Sequence, residues 1–299
     1  MRNSKKNGDI LKLATAILTK VPPKQKFVKN ALDDYDAKVK ELKDFEVINR
    51  WVKTKTNNYI EKIIDSLSPD VLMVLLNAFY FEAFWKNKFD IRNSYDEEFY
   101  NLDDKNKSIR TSMMILRGVL FNHYENEEMQ AIKLNYESKN ENISAIVILP
   151  KEIDINFFIK LFNKEKYEEI IEGLNKDKIK VNLILPKFKI EYKVDLKEIL
   201  MDLGIIKAFN IDAEFKNICN KSPIHIEQVL QKNYINVNEE GTQAASINEL
   251  DIILECYRTL NPDYKNFKVN KPFLFILRNE NLPKGKDILL FTKICKIEK

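Results

Sequence analysis

The chain has 299 residues, 44% hydrophobic and 31% charged, which makes it globular and large enough for one substantial core. With 49 basic against 45 acidic residues the net charge is +4, a balanced surface that gives no argument for nucleic acid, and no window reaches the ~18 uncharged apolar residues of a membrane span. Cys219, Cys256 and Cys295 lie far apart without paired spacing, so neither a disulfide framework nor a metal site is expected, and no cofactor.

In chain order, the basic start is followed by an apolar stretch that Lys12 interrupts, which speaks against a signal peptide. Lys20, Lys24, Lys26 and Lys29 read as scattered solvated lysines rather than a polyanion patch. Residues 25–35 and 45–57 read as helices. In the second, Val47, Ile48, Trp51 and Val52 recur at helical spacing and predict one buried face. The run 71–81 is too continuously apolar for an exposed strand and suits a sheet interior. From 109 to 150 short apolar runs alternate with polar turns, a β meander, and 152–173 reads as helical. A helix near 195 has Asp195 as its cap with Glu198 three residues on, a capping box, and Gly204 where a left-handed C-terminal residue is wanted. Strands return at 226–238, 273–279 and 287–297, and long strands with helices grouped by region indicate an α+β chain of one domain.

The segment from Gly241 alternates in two registers. Thr242, Ala244, Ser246, Asn248, Leu250, Ile252 and Leu254 share one side, small to apolar, while the other is largely polar. That is the pattern of a half-buried strand, yet Cys256-Tyr257-Arg258-Thr259-Leu260-Asn261-Pro262 after it reads as an exposed loop. An ordinary edge strand followed by a loop accounts for the alternation but not for the Glu239-Glu240-Gly241-Thr242 run ahead of it.

Residues 236–247, Asn-Val-Asn-Glu-Glu-Gly-Thr-Gln-Ala-Ala-Ser-Ile, resemble the mobile hinge of the serpins, whose pattern is close to Val-Asn-Glu-Glu-Gly-Thr-Glu-Ala-Ala. Three further stretches resemble the family in the correct order. Val74–Phe89 looks like its central strand and the turn after it, Leu185–Gly204 like a strand and helix ahead of the hinge, and Asn270–Phe275 like its C-terminal strand signature. The chain is identified as a serpin from about residue 10 to its end. The resemblance implies the serpin fold: a large mixed sheet A, smaller sheets B and C, and helices, with a reactive-centre loop at about 241–265. The stretch around Lys12 fits the second strand of sheet A. The family's first helices, including one that carries heparin contacts in some members, are then missing ahead of it, so apolar surface on 71–81 is expected to be exposed or covered by a partner.

The resemblance also implies a mechanism. A target protease cleaves the loop and is held as an acyl-enzyme, and the loop inserts into sheet A as a new strand. Fourteen steps from Gly241 to Glu255 give ~46 Å of strand at about 3.3 Å each. Glu239, Glu240, Gly241, Thr242, Ala244, Ala245 and Ser246 form the hinge, and a bulky or charged residue at Thr242 would block entry. Asn77 and Gln231 fall where sheet A parts, with Gln231 replacing the His of many members and still able to bridge strands. Trp85 and Lys187 fall near the site of first insertion; core packing is the preferred reading of Trp85. Lys187 and Glu239 look like the family's pair bracing the top of the sheet, and such a partly exposed pair contributes about 0–1 kcal/mol.

Two scissile bonds stay open. The usual spacing from the hinge gives Glu255-Cys256, which resembles the Asp-Cys of poxvirus cytokine-response-modifier serpins that act on caspases and granzyme B. Counting back from Pro272 gives Arg258-Thr259, which resembles the Arg-Ser of antithrombin-type loops and implies a trypsin-like target. The first is preferred because the mechanical step depends on the length of the hinge-side arm. The expectation is therefore a monomeric suicide inhibitor of a serine or caspase-like cysteine protease, of viral type and aimed at host defence. It is placed in the host-cell cytoplasm, with secretion as the alternative. The alternative function is a non-inhibitory serpin-fold decoy or binding protein, since what a member does is a separate question from membership. An enzyme is not indicated: no nucleophile–base–orienter arrangement stands out, and His123 and His225 are the only histidines.

Overall fold

The structure, a computed structural model, describes residues 11–102, 108–138, 142–152, 154–219, 224–242 and 263–297. In chain order its elements are β1 (Leu11–Thr19), α1 (Gln25–Tyr35), β2 (Lys38–Glu41), α2 (Phe45–Lys55), β3 (Met73–Phe81), β4 (Ala83–Phe84), β5 (Tyr95–Tyr100), β6 (Ser108–Glu125), β7 (Met129–Asn135) and β8 (Ile143–Pro150). These are followed by α3 (Ile155–Leu161), α4 (Lys164–Leu174), β9 (Lys178–Pro186), β10 (Phe188–Asp195), α5 (Lys197–Asp202), β11 (Gln228–Val237), β12 (Gly241–Thr242), β13 (Lys265–Lys268), β14 (Phe273–Asn279) and β15 (Ile288–Ile294). The chain packs as two units. Unit 1 joins the chain up to Glu82 with Ile190–Ile235, and unit 2 joins Ala83–Lys189 with the chain from Asn236 onward.

Unit 1 holds a mixed sheet in the order β2-β1-β3-β11-β10, with β1 antiparallel to β3 and β3 parallel to β11. One face is buried by α2 and the segment after it, where Ile48, Val52, Ile60, Ile63 and Ile64 pack on Ala16, Leu18, Leu76 and Leu230. Of the four residues expected to face inward from α2, Ile48 and Val52 are buried and Trp51 partly so, but Val47 is 51% exposed. Asn49 takes the inward position instead. Its side chain accepts hydrogen bonds from the backbone of Ile63 and Ile64 and donates to the carbonyl of Ile64, so a polar residue satisfies a buried stretch that has no ladder of its own. On the other face Leu75 and Asn77 are only half-buried, beside a cavity of about 400 Å³ whose lining includes Ile17, Phe27, Tyr35, Leu75 and Val229. No residue of 71–81 is exposed, and only Leu72, Leu75 and Asn77 are half-buried, so the exposure expected over this run is not found.

The capping box predicted at α5 is replaced by a different device. The helix starts one residue later, at Lys197, and Asp195 accepts from the backbone N–H of Lys197 and of Val229 on β11, both at 3.0 Å. No reciprocal bond from Glu198 is found among the described residues. The helix over 152–173 is two helices, because the chain turns extended at Phe162 and Asn163 caps α4.

Unit 2 carries an eight-stranded sheet in the order β13-β9-β6-β7-β8-β14-β15, with β5 on β6. Where two smaller sheets were expected there is one hydrogen-bonded sheet, in which β6, 18 residues long, pairs with β5, β7 and β9. It bends at an irregularity between Leu116 and Val119, where Gly118 has φ +64° and a Cβ would strike the Tyr264 ring. Helices α3 and α4 close the core over β7, β8 and β14 through Phe158, Ile170 and Leu174.

Candidate functional site

The segment read as the hinge begins in unit 2 as a tight hairpin. Thr242 pairs with Val237 at the end of β11, and Gly241–Thr242 pairs antiparallel with Phe84–Ala83, so β12 lies between β11 and β4. Asn238 shapes the turn. Its carboxamide oxygen accepts from the N–H groups of Glu240 and Gly241, the Asx geometry that Asn favours at turns. Gly241 is required by a close approach, since a Cβ there would sit 1.9 Å from the carbonyl oxygen of Ala83.

Around this hairpin the structure gathers residues that are distant in sequence. Thr242 is fully buried, and its Oγ1 is 2.8 Å from the Tyr136 hydroxyl. Burial pushes the Tyr136 phenol upward against the opposing pull of that bond, so it stays protonated. The Trp85 ring stacks on Tyr136 with 4.3 Å between centroids, and its Nε1 donates to the carbonyl of Asn238 at 2.9 Å. Trp85 is therefore core packing, as preferred, and also a brace for the turn. The backbone N–H of Trp85 donates to the carbonyl of Glu240.

Lys187 and Glu239 meet at 2.6 Å, and the Glu239 carboxylate also accepts from the Ser94 hydroxyl at 2.7 Å. The pair is partly exposed, as expected, but unevenly: the Lys187 side chain is 33% exposed while Glu239 is buried. Burial drives its carboxyl up, but the Lys187 and Ser94 bonds and a backbone N–H together outweigh it and hold the group below the ordinary carboxylate range.

The remaining predicted positions fall elsewhere. Asn77 and Gln231 are register partners across β3 and β11 in unit 1, but their side chains do not bridge the strands. Asn77 donates to Thr15 on β1 at 3.1 Å, and Gln231 donates along its own strand to Asn233 at 3.2 Å. Among the described residues the Gln231 amide, though able to bridge strands, makes no bond to Asn77. Ala244, Ala245, Ser246, Glu255, Cys256, Arg258 and Thr259 lie outside the described residues.

Tyr136, Ser94 and Asn238 were not foreseen. Asn238 could have been found, because Asn two residues ahead of Glu-Gly is a turn signal. Tyr136 and Ser94 carry no local signal, being over a hundred residues from the hinge.

A family model described as serpin (serine protease inhibitor) matches residues 1–296. The chain belongs to the serpin family. This serpin is 34% identical over 239 residues to antichymotrypsin-2 of Bombyx mori, an overlap of 79% of this chain and 62% of that one. It is 31% identical over 260 residues to serpin B4 of Homo sapiens, covering 85% and 64%. Among solved structures it matches the thermophilic serpin tengpin in the native state with a TM-score of 0.82 at 27% identity, over 98% of this chain and 75% of that one. It matches native protease nexin-1 with heparin at 0.79 and 29%, over 98% and 79%. The serpin thus has the family's α+β fold and spans less than two thirds of the length of either sequence relative.

Proposed function

We propose that this serpin is a suicide inhibitor of proteases that acts by cleavage of its reactive loop and insertion of that loop into sheet A. The observation that carries this reading is the hinge: Gly241–Thr242 is already a buried rung between β11 and β4, and the residues that follow are small on the side that must enter a sheet. Pairing continued from Val237↔Thr242 sets Ala244 opposite Ile235 and Ser246 opposite Asn233, so the small side chains fall on one face of the new strand. A protease that has formed an acyl bond at the loop is carried along as those rungs form.

A Glu255-Cys256 bond suits a protease of granzyme or caspase type and a role against host proteases. Arg258-Thr259 suits a trypsin-like one. Named protease inhibitors among the relatives, such as antichymotrypsin-2, agree with the general activity. Incubation with granzyme B, a caspase and trypsin, followed by SDS gels and mass spectrometry of the loop, tests this. A covalent complex of chain and protease supports inhibition and locates the bond, while recovery of only nicked chain from every protease argues against it.

One observation favours a second reading, a non-inhibitory binding protein: the largely apolar cavity of unit 1 beside Leu75 and Val229. Biological activity that survives Thr242→Arg, which blocks insertion, would support that reading.

A further inference from the structure

On the face of the unit 1 sheet away from α2, strands β1, β3 and β11 align their side chains in rungs. Ile17, Leu75 and Val229 form one rung, and Thr15, Asn77 and Gln231 form the next, about 7 Å along the strands. Both rungs floor the cavity of about 400 Å³, and Phe27, Ala31 and Tyr35 of α1 wall it. All six floor residues are half-buried, neither sealed in the core nor turned to open solvent.

The floor is therefore divided, with an apolar end and a polar end. At the polar end Asn77 donates to Thr15 and Gln231 donates to Asn233, while the carboxamide oxygens of both accept nothing among the described residues. These two acceptors stand on adjacent strands, ~4.8 Å apart, within reach of a single donor group. Packing alone would favour aliphatic residues there, since an amide facing an apolar hollow is costly until it is bonded. Among the described residues no charged side chain lines the cavity.

We infer that this cavity is a binding site for a neutral, largely apolar small molecule that ends in a hydrogen-bond donor such as a hydroxyl. Its body lies over Ile17, Leu75 and Val229, against the α1 wall, and its donor end meets the oxygens of Asn77 and Gln231. The volume falls within the ~300–1,000 Å³ of small-molecule sites. The lining selects against ions, because a carboxylate would leave water for a place without a cation, and an ammonium for one without an anion. The inference rests on the binding-protein reading above and names its ligand class, and it does not depend on loop insertion.

The test is calorimetric titration of the full chain with three probes that share one body. They are para-hexylphenol, its methyl ether, which lacks the donor, and para-hexylbenzoate, which is charged. The phenol is expected to bind one-to-one, with the ether and the benzoate roughly tenfold weaker or worse. Gln231→Leu removes one acceptor and should weaken the phenol roughly tenfold while leaving the ether unchanged, a split that a merely structural role would not produce. Val229→Phe fills the apolar end and should weaken every probe; Gln231→Leu carries the test alone if that variant folds poorly. Equal binding of all three probes overturns the ligand class. A phenol affinity unmoved by either substitution puts the probe elsewhere and overturns the site. No binding of the phenol overturns the site and removes the support for the binding-protein reading, while inhibition through the loop, tested by covalent complexes, stands apart.

Discussion

The Tyr136 hydroxyl and the Thr242 Oγ1 lie 2.8 Å apart in a fully enclosed space, which ties Thr242 of β12 to a residue 106 positions earlier. The bond holds Thr242 in β12. Removing it from the tyrosine side by Tyr136→Phe strands a buried hydroxyl. The expected cost is about 1–3 kcal/mol, read from denaturant unfolding. An unchanged midpoint would show that Thr242 has a second acceptor or donor in reach.

Gly241→Ala places a methyl group against the carbonyl of Ala83, where the backbone has nothing flexible to move aside. The β12–β4 pairing must open, with a loss of about 1–3 kcal/mol. Limited proteolysis near the hinge should quicken in the variant, and equal cleavage rates would mean that the two strands separate without cost.

Glu239 gives a pH dependence with a definite sign. Its folded carboxyl sits below the ordinary value, so its contribution to stability is fully present above the unfolded pKa of about 4.5 and is lost as pH falls through the lower folded value. Glu239→Gln should therefore be less stable than wild type at neutral pH, with the gap narrowing below about pH 4.5. A gap that stays constant on acidification would show that packing, rather than charge, is what Glu239 supplies.

Asn49 is fixed by geometry that composition hides. Asn49→Ala leaves the backbone N–H groups of Ile63 and Ile64 buried without their acceptor, at a cost of about 3 kcal/mol. Thermal unfolding checks this, and a loss within ~0.5 kcal/mol would mean that water reaches that backbone.

These residues show where the sequence was legible. Apolar periodicity located β3, β11, β14 and the meander because burying a strand or helix face demands a repeating pattern. The small-residue alternation from Thr242 was readable as a local run, and its part beyond Thr242 lies outside the described residues. Val47 was misplaced because it lies at the rim of the apolar stripe, where a half-turn of phase decides exposure. Asn49 was passed over because a polar side chain gives no periodic signal even when it is the one a buried loop needs. The amides of Asn77 and Gln231 could be placed on facing strands, but which acceptor each would choose depends on Thr15 and Asn233, and on distances that only folding sets. The support around Thr242 comes from Trp85, which lies in the Val74–Phe89 motif, and from Tyr136, which follows β7 and belongs to no motif.

The account depends on cleavage allowing the loop to become a strand of sheet A. The most direct measurement is calorimetric unfolding of the intact chain beside the same chain nicked once within 247–259. The nicked form is predicted to melt about 10 °C or more above the intact one, as roughly 5 kcal/mol of added strand pairing requires in a chain of this size. A nicked form that melts at or below the temperature of the intact chain would contradict it.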